Sequence, residues 1–176
     1  DPSACGGRLQ DLLRDAVRLR LRSDVPVGTH LSGGLDSSAI SCLASELLDG
    51  TLHVFTCGFK DADRYDETYY ARLVGEHIGA SYHEYFPNAQ DLADTFERLV
   101  YWLDEPVAGA AVFPQYFLSR LASENVKVVL GGQGGDELFC GYARYLVAYL
   151  ESCLQRAIYG QAPMAGAVQL EDIAPN

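Results

Sequence analysis

The chain has 176 residues, room for one domain, and its 48% hydrophobic and 21% charged content is that of a folded protein rather than a disordered one. Thirteen Lys and Arg against 24 Asp and Glu leave a net charge of −11, which argues against a nucleic-acid partner, because a phosphate backbone must be neutralised by many cations. No apolar run approaches the ~18 residues of a membrane span. Arg8, Arg14, Arg18, Arg20 and Arg22 interrupt any apolar opening stretch, so no signal peptide is expected. Five cysteines, odd in number and without a Cys-x-x-Cys pair, make neither a disulfide framework nor a zinc site. Reduced thiols in a cytoplasmic protein are expected.

Leucines at 9, 12 and 13 with Val17 and Leu21 give a helical stripe over 7–22, and Pro26 lies beyond its end. Residues 27–31 read as a short buried strand stopped by Ser32-Gly33-Gly34, and 36–48 as a helix ended by Asp49-Gly50. A second strand, β-branched and aromatic, spans 52–59. Asp66 and Glu67 precede a helix to about residue 78; a third strand covers 82–86 and another helix 89–103. Pro106 and Pro114 bracket a loop and the start of a helix to about residue 123. The fourth strand spans 126–130, and one helix is expected over 136–154. Strands alternating with helices predict an α/β fold with a parallel sheet covered on both faces. After Tyr159 the pattern stops, so we read 1–159 as the domain and 160–176 as a tail leading into a further segment.

Two glycine-rich turns carry the chemistry. The first, Leu31-Ser32-Gly33-Gly34-Leu35-Asp36-Ser37-Ser38, joins a strand to a helix. A helix N-terminus offers unpaired N–H groups and the positive end of a dipole; glycines admit close approach, and serines add hydroxyls, so the turn suits an anion. Asp36 repels phosphate directly, and fits if it holds a Mg²⁺ that bridges to the phosphates. The same residues equally describe a capped helix start in which Asp36 or a serine satisfies the N–H groups. A Walker A loop needs Gly-Lys-Ser/Thr, but the first lysine is Lys60; a dinucleotide fingerprint would need glycine where Glu137 stands; a nucleophile elbow would need glycine at His30. The second turn, Gly131-Gly132-Gln133-Gly134-Gly135-Asp136-Glu137, again leads from a strand into a helix. In an open parallel sheet both turns lie at the carboxyl edge, where ligands bind. There Asp36 and Asp136 would flank one metal–polyphosphate group.

At these residues the sequence resembles a known family. Ser32-Gly33-Gly34-Leu35-Asp36-Ser37-Ser38 is similar to the pyrophosphate loop of the N-type ATP pyrophosphatases. The ordered series around it resembles the synthetase domain of the glutamine-hydrolysing asparagine synthetases. It comprises Asp24-Val25-Pro26-Val27-Gly28, Thr56-Cys57-Gly58-Phe59, Tyr65-Asp66-Glu67, His83-Glu84, Asp104-Glu105-Pro106 and Gly134-Gly135-Asp136-Glu137-Leu138-Phe139-Cys140-Gly141-Tyr142. The resemblance implies a five-stranded, doubly wound sheet of the adenine nucleotide alpha hydrolase type. It also implies binding of ATP and Mg²⁺, adenylation of a small carboxylate substrate (aspartate in asparagine synthesis) with release of pyrophosphate, and displacement of AMP by ammonia. By position, Ser32, Gly33, Gly34, Ser37 and Ser38 would cradle pyrophosphate, and Asp36 and Asp136 would bind its Mg²⁺. Leu31, Cys57, Gly131 and Gly132 would line the adenosine pocket. Gln133 stands where asparagine synthetases carry a glutamate that manages the ammonia proton, so the catalytic candidates are Gln133 and Glu137. That substitution leaves open a relative closing a different amide, of β-lactam synthetase or peptide cyclase type; a domain that binds ATP without turnover is the alternative from another class. The implied partner is an N-terminal glutaminase domain, and relatives that carry it are often homodimers.

Overall fold

The computed structural model describes residues 2–60, 66–105, 109 and 111–159. They fall in two compact units, Asp1–Gln133 and Gly134–Asn176.

The first unit opens with helix α1 (Pro2–Arg20) and continues β1 (Val27–His30), α2 (Leu35–Leu47), β2 (His53–Cys57), α3 (Thr68–His77), β3 (Ser81–Tyr85), α4 (Ala89–Trp102), α5 (Val112–Ser123) and β4 (Val128–Leu130). The four strands form one sheet in the order β3-β2-β1-β4, every neighbouring pair parallel, with Gly28 opposite both His53 and Val129. The fifth strand implied by the family resemblance is not found among the described residues.

Neighbouring residues of β2 show why both faces are covered. Val54 and Phe55 are each fully buried, yet they belong to different cores. Val54 packs with Val17, Leu31, Ala44, Leu52 and Ala71 beneath α1, α2 and α3; Phe55 packs with Ala122 and Val126 beneath α5. Side chains alternate along a strand, so consecutive apolar residues can fill two cores only when helices cover both faces. Each fully buried Val or Phe removed from water stabilises the fold by roughly 1.5–3 kcal/mol. Two buried hydroxyl bonds accompany this packing: Thr29 Oγ1 lies 2.8 Å from Ser41 Oγ, and Thr56 Oγ1 donates to the Leu31 carbonyl at 2.6 Å. An Arg14–Glu46 ion pair joins α1 to α2, and Arg72 of α3 forks onto Glu84 of β3 with two 3.0 Å bonds.

The connections run β1 to β2 to β3 in one direction, then return through α4 and α5 to β4 on the other side of β1. The strand order therefore reverses between β1 and β4, and the loops leaving the carboxyl ends of those two strands flank the crevice.

The second unit holds α6 (Gly135–Phe139) and α7 (Ala143–Ile158). The single helix expected over 136–154 is thus two. Cys140 adopts a left-handed conformation, φ 59°, between them, and a Cβ on Gly141 would overlap the Asp136 carboxylate. The tail at 160–176 lies outside the described residues, as do Tyr65 and Pro106.

Candidate functional site at the carboxyl edge

The loop after β1 is held from three sides. Internally, Ser37 Oγ is its hub: it accepts from Ser32 N at 3.2 Å, lies 2.9 Å from Ser32 Oγ, and donates to the Gly34 carbonyl at 3.2 Å. Ser32 Oγ also accepts from Gly34 N at 3.3 Å. On one flank Gly33, at φ +90°, presses against α3; a Cβ there would lie 2.8 Å from Ala71 N and 2.9 Å from the Glu67 carbonyl. On the other flank Gly132, just past β4, presses on α2; a Cβ there would lie 2.8 Å from Ser37 N and 3.0 Å from Asp36 C. Only residues lacking a side chain permit both approaches, and only glycine takes the left-handed turn at 33 without strain.

The alternative reading of this turn as a capped helix is tested directly by that geometry. The α2 N-cap is Gly34, and no side chain caps it. The serines close the loop on itself, while the carboxylate of half-buried Asp36 takes part in no hydrogen bond among the described residues. The first-turn N–H groups of α2 are left for water or a ligand, and with the dipole they form a cradle for an anion. Such a donor set, N–H groups and hydroxyls beside one carboxylate, fits a metal-bound polyphosphate. No group of three or more His, Cys, Asp or Glu that could hold a metal occurs among the described residues. Mg²⁺ would therefore need phosphate oxygens to complete its shell, as it commonly does.

The other expected pocket residues lie at the same edge of the first unit. Leu31 is 1% exposed, with its side chain in the core, its N–H bonded to the Phe55 carbonyl at 2.9 Å and its carbonyl to Thr56. Cys57 ends β2; burial pushes its thiol up to about 11, so it stays neutral. Gly131, Gly132 and Gln133 follow β4, Gln133 being exposed. Asp136 and Glu137 belong to the second unit, in the first turn of α6. Tyr142 Oη donates to Glu137 Oε1 at 2.8 Å and holds that carboxyl below its usual range, while Arg144 stacks over the Tyr142 ring at 3.9 Å.

Of the histidines, His53 and His83 meet: His53 Nδ1 lies 3.0 Å from His83 Nε2, beside Phe55. Burial, then His53, lowers the His83 pKa. Its chain neighbour Glu84 lies on the opposite strand face with Arg72. Sequence reasoning gave no role to Thr68 or Gly58. The signal was a glycine ending a β-branched strand, which marks close approach by another group: Thr68 Cγ2 would be 2.5 Å from a Cβ on Gly58.

Comparisons with known proteins bear on the family and the fold. The asparagine synthase family model matches residues 8–173. A Methanocaldococcus jannaschii protein, whose provisional name is asparagine synthetase [glutamine-hydrolyzing] 2, is 42% identical over 139 residues, covering 78% of this chain and 27% of its own length. Asparagine synthetase [glutamine-hydrolyzing] 1 of Bacillus subtilis is 35% identical over 137 residues, covering 78% of this chain and 21% of its own. The chain thus spans about a fifth to a quarter of these relatives. Among solved structures, an NH3-dependent NAD synthetase from Campylobacter jejuni aligns with a TM-score of 0.51 at 14% identity, covering 78% of this chain and 60% of that one, a likeness of fold. With the family model spanning nearly its whole length, the chain belongs to the asparagine synthase family.

Proposed function

We propose that the chain is the ATP-using part of an amide-forming ligase. Mg-ATP binds with its pyrophosphate moiety in the loop at 32–38, a substrate carboxylate attacks the α-phosphate, and pyrophosphate leaves. Ammonia then attacks the acyl-adenylate carbonyl and AMP departs. The observation that carries this reading is the uncapped start of α2 beside Asp36, at the point where the strand order reverses. The residues of this chain supply positioning and charge: Ser32, Ser37, Ser38 and the backbone at Gly33 and Gly34 hold the departing pyrophosphate, whose charge grows as the bond breaks. Cys57, Gly131 and Gly132 line the adenosine pocket; Leu31, buried in the core with both backbone groups bonded, supports it from beneath without facing the ligand. Mg²⁺, when bound, neutralises the polyphosphate; Asp36 would hold it, and the assignment of Asp136 to the same ion comes from the family resemblance alone.

The relatives' names support aspartate as the carboxylate and glutamine as the source of ammonia, through a glutaminase domain in a longer, cytoplasmic protein. No helix among the described residues is long and apolar enough to cross a membrane. Gln133 favours a second reading, a relative that closes another amide. A glutamine cannot take the ammonia proton, and Glu137, held ionised by Tyr142, is a weakened base.

Calorimetric titration with ATP, with and without Mg²⁺, tests the reading. Binding should depend on the metal, and Asp36→Asn should weaken the binding of Mg-ATP. Equal binding without metal, or by the variant, would show that Asp36 is no metal ligand and return the turn to a structural role.

A further inference from the structure

Resting on the reading of 32–38 as a pyrophosphate loop, we propose that Asp66 is a positioning residue: it locks the first turn of α3, and through that turn sets the phosphate loop against the carboxyl end of β2. Asp66 stands just ahead of α3. Its Oδ1 accepts from Thr68 N at 3.2 Å and its Oδ2 from Thr68 Oγ1 at 3.0 Å. Thr68, 3% exposed, is thereby held at both its amide and its hydroxyl, which fixes χ1 and the direction of its methyl group. The N-cap of α3 is Glu67, whose own side chain provides no cap, so the Asp66 bonds are what tie down this helix start.

Two pieces of the nucleotide site rest on that turn. The Thr68 methyl lies over Gly58, one residue past the expected pocket residue Cys57. A Cβ on Gly58 would meet Thr68 Cγ2 at 2.5 Å and the Phe86 ring at 2.6 Å. Three residues further along, the Ala71 amide and the Tyr70 Cβ form the floor beneath Gly33, both 2.8 Å from where a Cβ would stand there. The Glu67 carbonyl, 2.9 Å from the same point, accepts from Tyr70 N at 3.0 Å and Ala71 N at 3.2 Å. One carboxylate therefore governs a turn that touches both the phosphate loop and the strand end that faces the nucleoside. Arg72, on the same helix, is engaged with Glu84. Close-packed backbone contacts transmit such a constraint because neither side can rotate out of the way.

The test compares the full chain with Asp66→Ala, Asp66→Asn and Thr68→Val, by amide hydrogen exchange without nucleotide and by calorimetric Mg-ATP binding. Thr68→Val keeps the shape over Gly58 and removes only the hydroxyl donor. In Asp66→Ala we expect the hydrogen-bonded loop amides of Ser32 and Gly34 to exchange about tenfold faster and Mg-ATP to bind about tenfold more weakly, the worth of one hydrogen bond to a charged group. Thr68→Val should shift both readouts in the same direction. Asp66→Asn, which keeps an oxygen for the Thr68 amide, should recover most of the loss. Amides of β2 at 54–56 should exchange as in the parent in every variant. Unchanged loop exchange in Asp66→Ala, or faster exchange throughout the sheet, overturns the positioning role. Equal Mg-ATP binding by parent and Asp66→Ala overturns the proposal while sparing the nucleotide reading. A parent that binds no Mg-ATP overturns that reading and this proposal together.

Discussion

Gly131 and Gly132 are chain neighbours just past β4, yet an added methyl group should affect them very unequally. At Gly131 the nearest atoms to a new Cβ are in Gln133 at 4.0 Å, an ordinary contact; at Gly132 they are Ser37 N at 2.8 Å and Asp36 C and Cβ at 3.0 Å. Ordinary contact begins near 3.4 Å, so Gly132→Ala must drive the strand end and the first turn of α2 apart by about 0.6 Å. Two of the three atoms in the way are backbone, and no rotamer change relieves them. Overpacking of this kind costs about 1–3 kcal/mol, and we expect about 2 kcal/mol for Gly132→Ala against less than about 0.5 kcal/mol for Gly131→Ala. Urea unfolding followed by circular dichroism measures both. A lower midpoint with unchanged m-value for Gly132→Ala alone supports the contact. Equal midpoints for the two variants would refute the claim that the β4 exit braces the phosphate loop.

The pH dependence of stability follows from two imidazoles. Burial lowers the His30 pKa from 6.5, and burial with His53 lowers that of His83. The unfolded chain then takes up protons before the folded one, so their contribution is fully present above pH 6.5, falls as pH drops through 6.5, and levels off below the folded-state values. Urea midpoints between about pH 8 and pH 5 should show the decline, and His30→Leu should flatten part of it; an unaltered slope in that variant would count against the assignment. In the second unit, Tyr142→Phe removes the donor to Glu137 Oε1, and the Glu137 carboxyl should titrate higher, toward its ordinary value, in a carbon-detected NMR titration. An unmoved Glu137 would mean that the tyrosine does not hold it ionised.

Element type was legible wherever one periodicity prevailed. The strand read at 27–31 starts with β1 and runs one residue past it, and the helix read at 36–48 is offset from α2 by one residue at each end. The start of α1 was obscured by Gly6-Gly7, which lowers helix propensity although a helix runs through both. Val126 reads as the first residue of the fourth strand. It is buried at 3% but precedes the ladder, which begins at Val128. Burial and strand pairing are separate facts that a hydrophobic run cannot distinguish. The break between α6 and α7 has a signal in Gly141, but the chain turns at Cys140, φ 59°, a left-handed residue that periodicity does not report. The site shows the same division. The glycines and serines of the two turns announce a backbone cradle, whereas the Asp66–Thr68 brace depends on which helix start the fold lays against Gly33.

The composition sharpens what the loop can bind. A chain carrying a net charge of −11, with a half-buried carboxylate at Asp36 inside the turn, faces a polyphosphate of the same sign. Neutral donors and a helix dipole offer each phosphate contact about 0.3–1 kcal/mol of charge stabilisation, and repulsion from a carboxylate about 4 Å away works against them by a comparable amount in a solvated cleft. Phosphate without metal should therefore bind poorly. If Asp36 holds Mg²⁺ as proposed, the carboxylate would change from the worst member of the loop to the one that selects the metal-bound ligand. Asp36→Asn separates the two regimes: it should weaken Mg-ATP and, by removing the repelling charge, strengthen metal-free ATP. A substitution that weakened both forms alike would mean that the loop reads phosphate through shape alone, with no metal at Asp36.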